Sequence, residues 1–419
     1  MRRLWLLLAI AGLSACLSFD ERGIYRCSPS DASRCPDDGV SPSRDGGSDG
    51  GEELDGGPRC QVVAVSVGDR HSCALKKDGS LWCWGENAND ELGPFEVDGG
   101  IEDGGCGARC SALPVESLDS GVSAISASAG TNAALVEGRL SFWGVGFGPP
   151  KSIGLSPEAV GAGYGFACAL QDASVYCLGR NDNNQTGVAD ASGDVLVPTL
   201  AASNVTEMGV GSSHVCVRYR DAGVSCWGRN LSGELGSFTG DGGCAPDLSR
   251  CSGAKHIGLP AGAVRLSTGM GDHSCATVAD GGVYCWGADR FGQVGAVATS
   301  SCPAAPCHPS PARVPITRAP VELVTGAVHT CALYSTYPYL ECWGYNGDGQ
   351  FGTSNSTSPL PSISFPGLTV ATVSAGGAHS CIITREGALY CSGSNGVGQL
   401  GAGALDVTVK SPRRVSLCP

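Results

Sequence analysis

The sequence predicts an all-β fold, a seven-bladed β-propeller with four-stranded, disulfide-rich blades. Three observations predict it. Glycine supplies 64 of the 419 residues while charged residues are only 16%, a profile that suits many short strands joined by tight turns. From Cys60 onward the chain repeats itself, and repeats a few tens of residues long mark arrays of one supersecondary unit. Within each repeat, apolar and polar residues alternate about short turns such as Asp78-Gly79, Asp280-Gly281 and Glu386-Gly387, the pattern of β-hairpins. Length alone would allow two or three domains.

The N-terminus reads as a targeting segment. Arg2 and Arg3 precede the apolar run Leu4 to Leu13, which is too short for a permanent bilayer span. It ends in Leu13-Ser14-Ala15-Cys16, which resembles the lipobox of bacterial lipoproteins. That resemblance implies cleavage before Cys16 and a lipid on its sulfur, leaving a mature chain two units more acidic. Residues 1–15 are then a signal peptide, residues 16–59 a lipidated tether and residues 60–418 the propeller. Residues 41–58, SPSRDGGSDGGEELDGGP, have almost no apolar side chains and cannot support a core. No later run of 18 apolar residues exists.

Six repeats share a Gly, often His-Ser-Cys, a hairpin, a second Cys, usually Trp-Gly, and a closing Leu-Gly. The clearest is GDRHSCALKKDGSLWCWGENANDELG, Gly68 to Gly93. Others begin at Gly163, Gly211, Gly271, Gly326 and Gly376. A degenerate seventh, AGTNAALVEGRLSFWG, runs from Ala129 to Gly144. Successive copies are expected roughly 50 to 60 residues apart. One four-stranded unit cannot bury both faces, whereas units arranged radially can.

The recurring Gly-x-x-His-Ser, Trp-Gly-x-Asn and Gly-Gln-Leu-Gly elements resemble the regulator of chromosome condensation repeat. The resemblance covers about 360 residues and implies a seven-bladed propeller. The sequence departs from it in places. The second unit lacks His and both Cys, Leu178 and Ser392 stand where Trp is usual, and long insertions follow Gly93, Gly236 and Gly295. The family's nucleotide-exchange activity toward a nuclear GTPase does not carry over to a secreted chain.

There are 23 cysteines, and in an oxidising compartment most should pair. With Cys16 lipidated, an even set remains. A three-residue loop Lys77-Asp78-Gly79 sets Cys73 opposite Cys83, and Ala279-Asp280-Gly281 does the same for Cys275 and Cys285. The expected hairpin staples are therefore Cys73 with Cys83, Cys168 with Cys177, Cys216 with Cys226, Cys275 with Cys285, Cys331 with Cys342, and Cys381 with Cys391. The degenerate unit has lost both of its cysteines together, as paired function requires. Cys106 with Cys110, Cys244 with Cys251 and Cys302 with Cys307 are expected to rigidify the three insertions. Zinc is the rival for these, but each pair sits alone, and a structural site needs four ligands. Cys27 and Cys35 are expected to close a small loop in the tether. Cys60 and Cys418 align to nearly one level of the repeat, where a disulfide would lock the ring.

No residue is nominated as catalytic, and no cofactor or metal is expected. His71, His214, His273, His329 and His379 share one repeat position, so they lie round a ring and read as blade packing. Trp84, Trp143, Trp227, Trp286 and Trp343 read the same way. Asp182-Asn183-Asn184-Gln185-Thr186-Gly187 starts like a calcium loop, but Gly193 stands where the bidentate Glu belongs. The Asp-Gly-Gly runs lack the strand-to-helix setting of a phosphate cradle. A Gly-x-Ser-x-Gly nucleophile elbow is missing, and no carboxylate pair for glycoside hydrolysis is nominated. A formal charge of −13 disfavours nucleic acid, which needs clustered Lys and Arg.

The expected function is a non-catalytic binding scaffold at the outer membrane or cell surface, monomeric and held by its lipid anchor. It would recognise a protein or surface polymer through loops on one propeller face. The rivals are a secreted enzyme inhibitor and a polysaccharide-active enzyme.

Overall fold

The computed structural model describes residues 18–19, 25–26, 61–93, 110–189, 193–238, 249–296, 300–302, 306–354 and 356–417. The chain divides into two units, residues 1–54 and 55–419. In the first, strands Ser18–Phe19 and Tyr25–Arg26 pair antiparallel. The second is a propeller of seven antiparallel sheets. Six have four strands, and the fifth gains the short strand Ser300–Ser301 beside its outer strand. Among the described residues no helix is long and apolar enough to cross a membrane.

Every blade is made of consecutive strands. Blade 1 runs through Val62–Val67, His71–Lys76, Leu81–Glu86 and Cys110–Leu118. Blades 2 to 7 occupy residues 122–152, 159–203, 205–256, 263–313, 322–363 and 370–415. The first strands of successive blades adjoin round the ring, and that of blade 7 adjoins that of blade 1. Serine side chains tie them: Ser66 Oγ accepts from Ala127 N, Ser126 Oγ from Ala162 N, and Ser374 Oγ from Val67 N.

The hairpin arithmetic holds at atomic detail. Lys76 N donates to Ser80 O and Gly79 N to Lys76 O, with Gly79 at φ 86°. That left-handed residue closes the three-residue loop and sets Cys73 directly across from Cys83. The glycine of each Trp-Gly element follows the same logic at a bulge: Gly85 has φ 103°, and a Cβ there would run into the Arg70 carbonyl oxygen. All seven blades keep a glycine at this place.

The core is divided among the blade junctions. Leu75, Leu81 and Leu92 of blade 1 pack with Val122, Ala134 and Trp143 of blade 2. At the other side of blade 1, Val62, Val67 and Trp84 pack with Ile383, Leu389, Leu400 and Leu417. A single blade leaves both faces apolar, so burial enforces the ring.

Two expectations need correction. The spacing is not uniform, because blade 2 spans only residues 122–152, with a short connection and no insertion before its outer strand Gly148–Ser152. The fifth repeat does not start at Gly271. Counting back from His273 puts Met270 at the place of Gly68, and Met270 is buried.

Candidate functional site

The repeat's Asn-x-x-Gly-Gln-Leu-Gly element is a self-capped loop after the third strand. In blade 7, Asn395 Oδ1 accepts from Leu400 N at 3.0 Å and Gln399 Oε1 from Val397 N at 3.0 Å. Asn87, Asn181, Asn230 and Asn346 cap the amide five residues on in the same way. Blade 5 has Asp289 instead, which accepts from Val294 N and faces His308 Nε2 at 3.3 Å. The folded-back side chain leaves the Gln or Glu carbonyl aimed at the next blade.

That carbonyl is where the signature residues converge. The indole Nε1–H of Trp84 donates to Gln399 O of blade 7, and Trp143 to Glu91 O of blade 1. Trp227, Trp286 and Trp343 reach Gln185, Glu234 and Gln293 of the preceding blade. A second donor joins at three junctions: Ser72 Oγ at 3.0 Å, Asn132 Nδ2 at 2.7 Å and Thr330 Oγ1 at 2.8 Å.

The histidines complete the network. His71 Nε2 lies 3.0 Å from Asn132 Oδ1, and His214 Nε2 lies 2.9 Å from Ser274 Oγ. His273, His329 and His379 each stand 2.8 Å from Thr330, Ser380 and Ser72. Ser72 and Thr330 spend their own protons on the carbonyls, so their oxygens accept from a protonated Nε2. Each imidazole is neutral. Burial lowers His214, His273 and His379 to about 3 and His329 to about 4. His71 is also lowered by burial, against the pull of Asn132, Glu91 and Asp69. The expected packing role is therefore accompanied by a hydrogen-bonding one.

The departures from the repeat are coupled across blades. Blade 2 has no Gln-Leu-Gly loop, and blade 3 has Leu178 where a tryptophan would seek its carbonyl. Their junction is apolar instead, with Phe142, Phe147, Leu155, Ala162 and Leu178 in one cluster and Phe142 4.5 Å from Phe147. Ala133 and Phe142 occupy the register of the missing cysteine pair. In blade 7, Ser392 Oγ reaches Gly349 O at 2.7 Å. The preceding loop carries the buried Phe351 where others have Leu92, Leu235 or Leu400.

The six hairpin cysteine pairs are disulfides, each joining residues with Cα atoms 4.0–4.1 Å apart. Cys302 is joined to Cys307, and Cys110 and Cys251 are disulfide-bonded. Cys16, Cys27, Cys35, Cys60, Cys106, Cys244 and Cys418 lie outside the described residues. Among the described residues no group of three or more His, Cys, Asp or Glu could hold a metal. The calcium-like stretch is an ordinary repeat loop: Asp182 Oδ1 accepts from Gln185 Nε2, and Oδ2 from Arg180.

The third-to-fourth-strand loops all emerge on one face of the ring. The turns between first and second strands open on the same face. It presents charged and aromatic side chains in alternation. Arg70 pairs with Glu86 at 3.0 Å, and Arg180 lies over Tyr164 at 5.0 Å. Arg229 bridges to Asp272 at 3.2 Å, and Phe291 packs 5.0 Å from Tyr345. The insertions after Gly93, Gly236 and Gly295 leave from this face, and most of their length lies outside the described residues.

Comparison with known proteins agrees with this architecture. The family model of the regulator of chromosome condensation (RCC1) repeat matches residues 62–90, 264–293 and 370–399, and a second model of that repeat matches residues 280–333. The chain is 25% identical over 383 residues to the ultraviolet-B receptor UVR8 of Arabidopsis thaliana, covering 84% of this chain and 81% of that one. It is 28% identical over 209 residues to the probable E3 ubiquitin-protein ligase HERC4 of Homo sapiens, 48% of this chain but 19% of that protein. Among solved structures it is similar to Prp20p of Saccharomyces cerevisiae, a protein described with binding properties to Gsp1p and histones. There the TM-score is 0.61 at 18% identity, over 75% of this chain and 80% of the other. Human WBSCR16 gives a TM-score of 0.54 at 19% identity, over 87% and 83%. Four segments that match the regulator of chromosome condensation repeat thus lie on a closed ring of seven blades.

Proposed function

We propose that the protein is a non-catalytic binding scaffold, lipid-anchored through Cys16 at the outer membrane or cell surface, that recognises a protein or surface polymer. The observation that carries this reading is the division of labour within the repeat. Signature His, Trp and Gln residues are used up in holding blades together, while the variable insertions leave from one face. Varied loops on a rigid frame are a common basis of recognition. The relatives support a scaffold role in general terms, since one is named a receptor and one is described by its binding to other proteins.

Photo-crosslinking from Tyr164, on the loop face, and from Tyr337, on the hairpin face, tests the reading in intact cells. A partner captured from Tyr164 and not from Tyr337, and lost when the three insertions are shortened, is the expected result. Capture from Tyr337 alone would reverse the assignment of the face. Mass spectrometry of the membrane-extracted protein should find a diacylglyceryl group on an N-terminal Cys16, and a soluble product beginning after Cys16 would remove the anchor.

A further inference from the structure

The histidine bonds cross five of the seven blade junctions: 4–5, 5–6, 6–7, 7–1 and 1–2. Junctions 2–3 and 3–4 have none, because Thr131 and Phe166 stand at the histidine place. Each imidazole uses Nε2 and is fully enclosed. The Nδ1 atoms of His214, His273, His329 and His379 are buried and have no hydrogen-bond partner. A proton added there would have no acceptor, and its charge would sit away from water, which is among the costliest states a buried group can adopt.

Few neighbours would relieve that charge. Asp69 and Glu91 face His71, whereas Arg229 faces His214 and repels it. His273 faces His214 and His329, and His379 faces His71 and His329, so successive protonations oppose one another. The other buried or half-buried ionisable groups of this arc include Glu234 and Asp272 with Arg229, Glu207 with Arg218 beside Arg265 and Glu322, Asp289 with His308, and also Lys255 and Lys76. Glu234 and Glu322 are raised by burial, so their titration opposes folding as the pH rises, opposite in sense to the histidines.

We propose that the five histidines form an acid-operated latch, whose protonation parts the junctions they bridge and leaves the histidine-free arc of blades 2 to 4 closed. The sign follows from linkage. A histidine buried neutral takes up its proton only when its junction opens, so acid favours the open state between the unfolded value of 6.5 and the depressed folded value of about 3. Each histidine uncovered raises the opening constant about tenfold per pH unit in that window.

Hydrogen exchange on the full chain with its disulfides intact tests the latch. Between about pH 7 and about pH 5, after correction for intrinsic rates, opening should increase roughly 25-fold per histidine uncovered in His273–Val278, His329–Leu333 and His379–Thr384. Phe166–Gln171 should be unchanged. Equal acceleration in Phe166–Gln171, or none in the other three, would overturn the proposal. His329→Gln keeps a donor but cannot titrate, so it should flatten the pH response at junction 6–7 alone. A variant that opens there as steeply as the wild type also overturns it, and if the variant does not fold the wild-type comparison decides.

Discussion

At the scale of the residue, the ring depends on carbonyl oxygens that wait for a donor from the next blade. The number of donors differs between junctions. Gln293 O receives both Trp343 Nε1 and Thr330 Oγ1. Gln185 O receives Trp227 Nε1, and the apolar Val215 takes the place of the hydroxyl. Trp227→Phe and Trp343→Phe delete the same atoms, but only the first leaves a buried carbonyl bare. Trp227→Phe should therefore cost about 1–3 kcal/mol more, read from denaturant midpoints, and equal losses would mean the second donor adds nothing. Glu234 is a different case. Burial, with Asp272 adding to it and Arg229 opposing, raises its carboxyl from 4.5 to about 8. The folded state thus holds a proton that the unfolded chain has released, and stability is lost as pH rises through that window. Four other loops have glutamine at this place, namely Gln185, Gln293, Gln350 and Gln399. Glu234→Gln should gain on the wild type from about pH 5 to about pH 8, by at most about 1.4 kcal/mol per unit, and a constant difference across that range would show that Glu234 stays ionised in the fold.

At the scale of the element, each blade is a set of stapled hairpins whose design was legible because it is local. The turn Lys77-Asp78-Gly79 fixes the count to Cys73 and Cys83, and the joint loss at Ala133 and Phe142 marks a pair. The loop Asn-x-x-Gly-Gln-Leu-Gly was legible as a unit, but its purpose was not. Its working atom is a main-chain carbonyl, and the donor arrives from a tryptophan some 40 to 50 residues later or, for Gln399, from Trp84 at the opposite end of the repeat region. For the same reason Leu178 read as an isolated departure, whereas it answers the missing loop of blade 2. The histidines read as packing, since nothing in one repeat shows what Nε2 will meet in the next. The register Ala133↔Phe142 invites a seventh staple. Ala133→Cys with Phe142→Cys should cross-link, as non-reducing peptide mapping would show. A loop this short contributes about 2–3 kcal/mol. Loss of the buried Phe142 ring from its contact with Phe147 costs about 3–5 kcal/mol. The expected result is a formed disulfide with little or no gain in stability, and a large gain would mean that Phe142 packs loosely.

At the scale of the whole molecule, a propeller has one junction that covalent chain order does not enforce. Here each blade is complete in itself, so blade 7 must meet blade 1 through side chains and main-chain bonds. That junction carries a full set of contacts. His379 Nε2 meets Ser72 Oγ at 2.8 Å, Ser72 and Trp84 both donate to Gln399 O, Ser374 Oγ accepts from Val67 N, and Gly377 N donates to Gly68 O. The interior junction of blades 6 and 7 supplies the control, because His329 Nε2 meets Ser380 Oγ at the same 2.8 Å. Double-mutant cycles with His379→Ala and Ser72→Ala, and with His329→Ala and Ser380→Ala, isolate the two bonds from the differing costs of the single changes. Contacting buried pairs couple by about 0.5–3 kcal/mol. If the ring is as tightly closed at its seam as within the chain, the two coupling energies should agree within about 0.5 kcal/mol. A seam coupling near zero beside a normal interior one would mean that blades 7 and 1 part readily in solution. The closure of the ring would then have to come from elsewhere than the histidine, tryptophan and serine contacts.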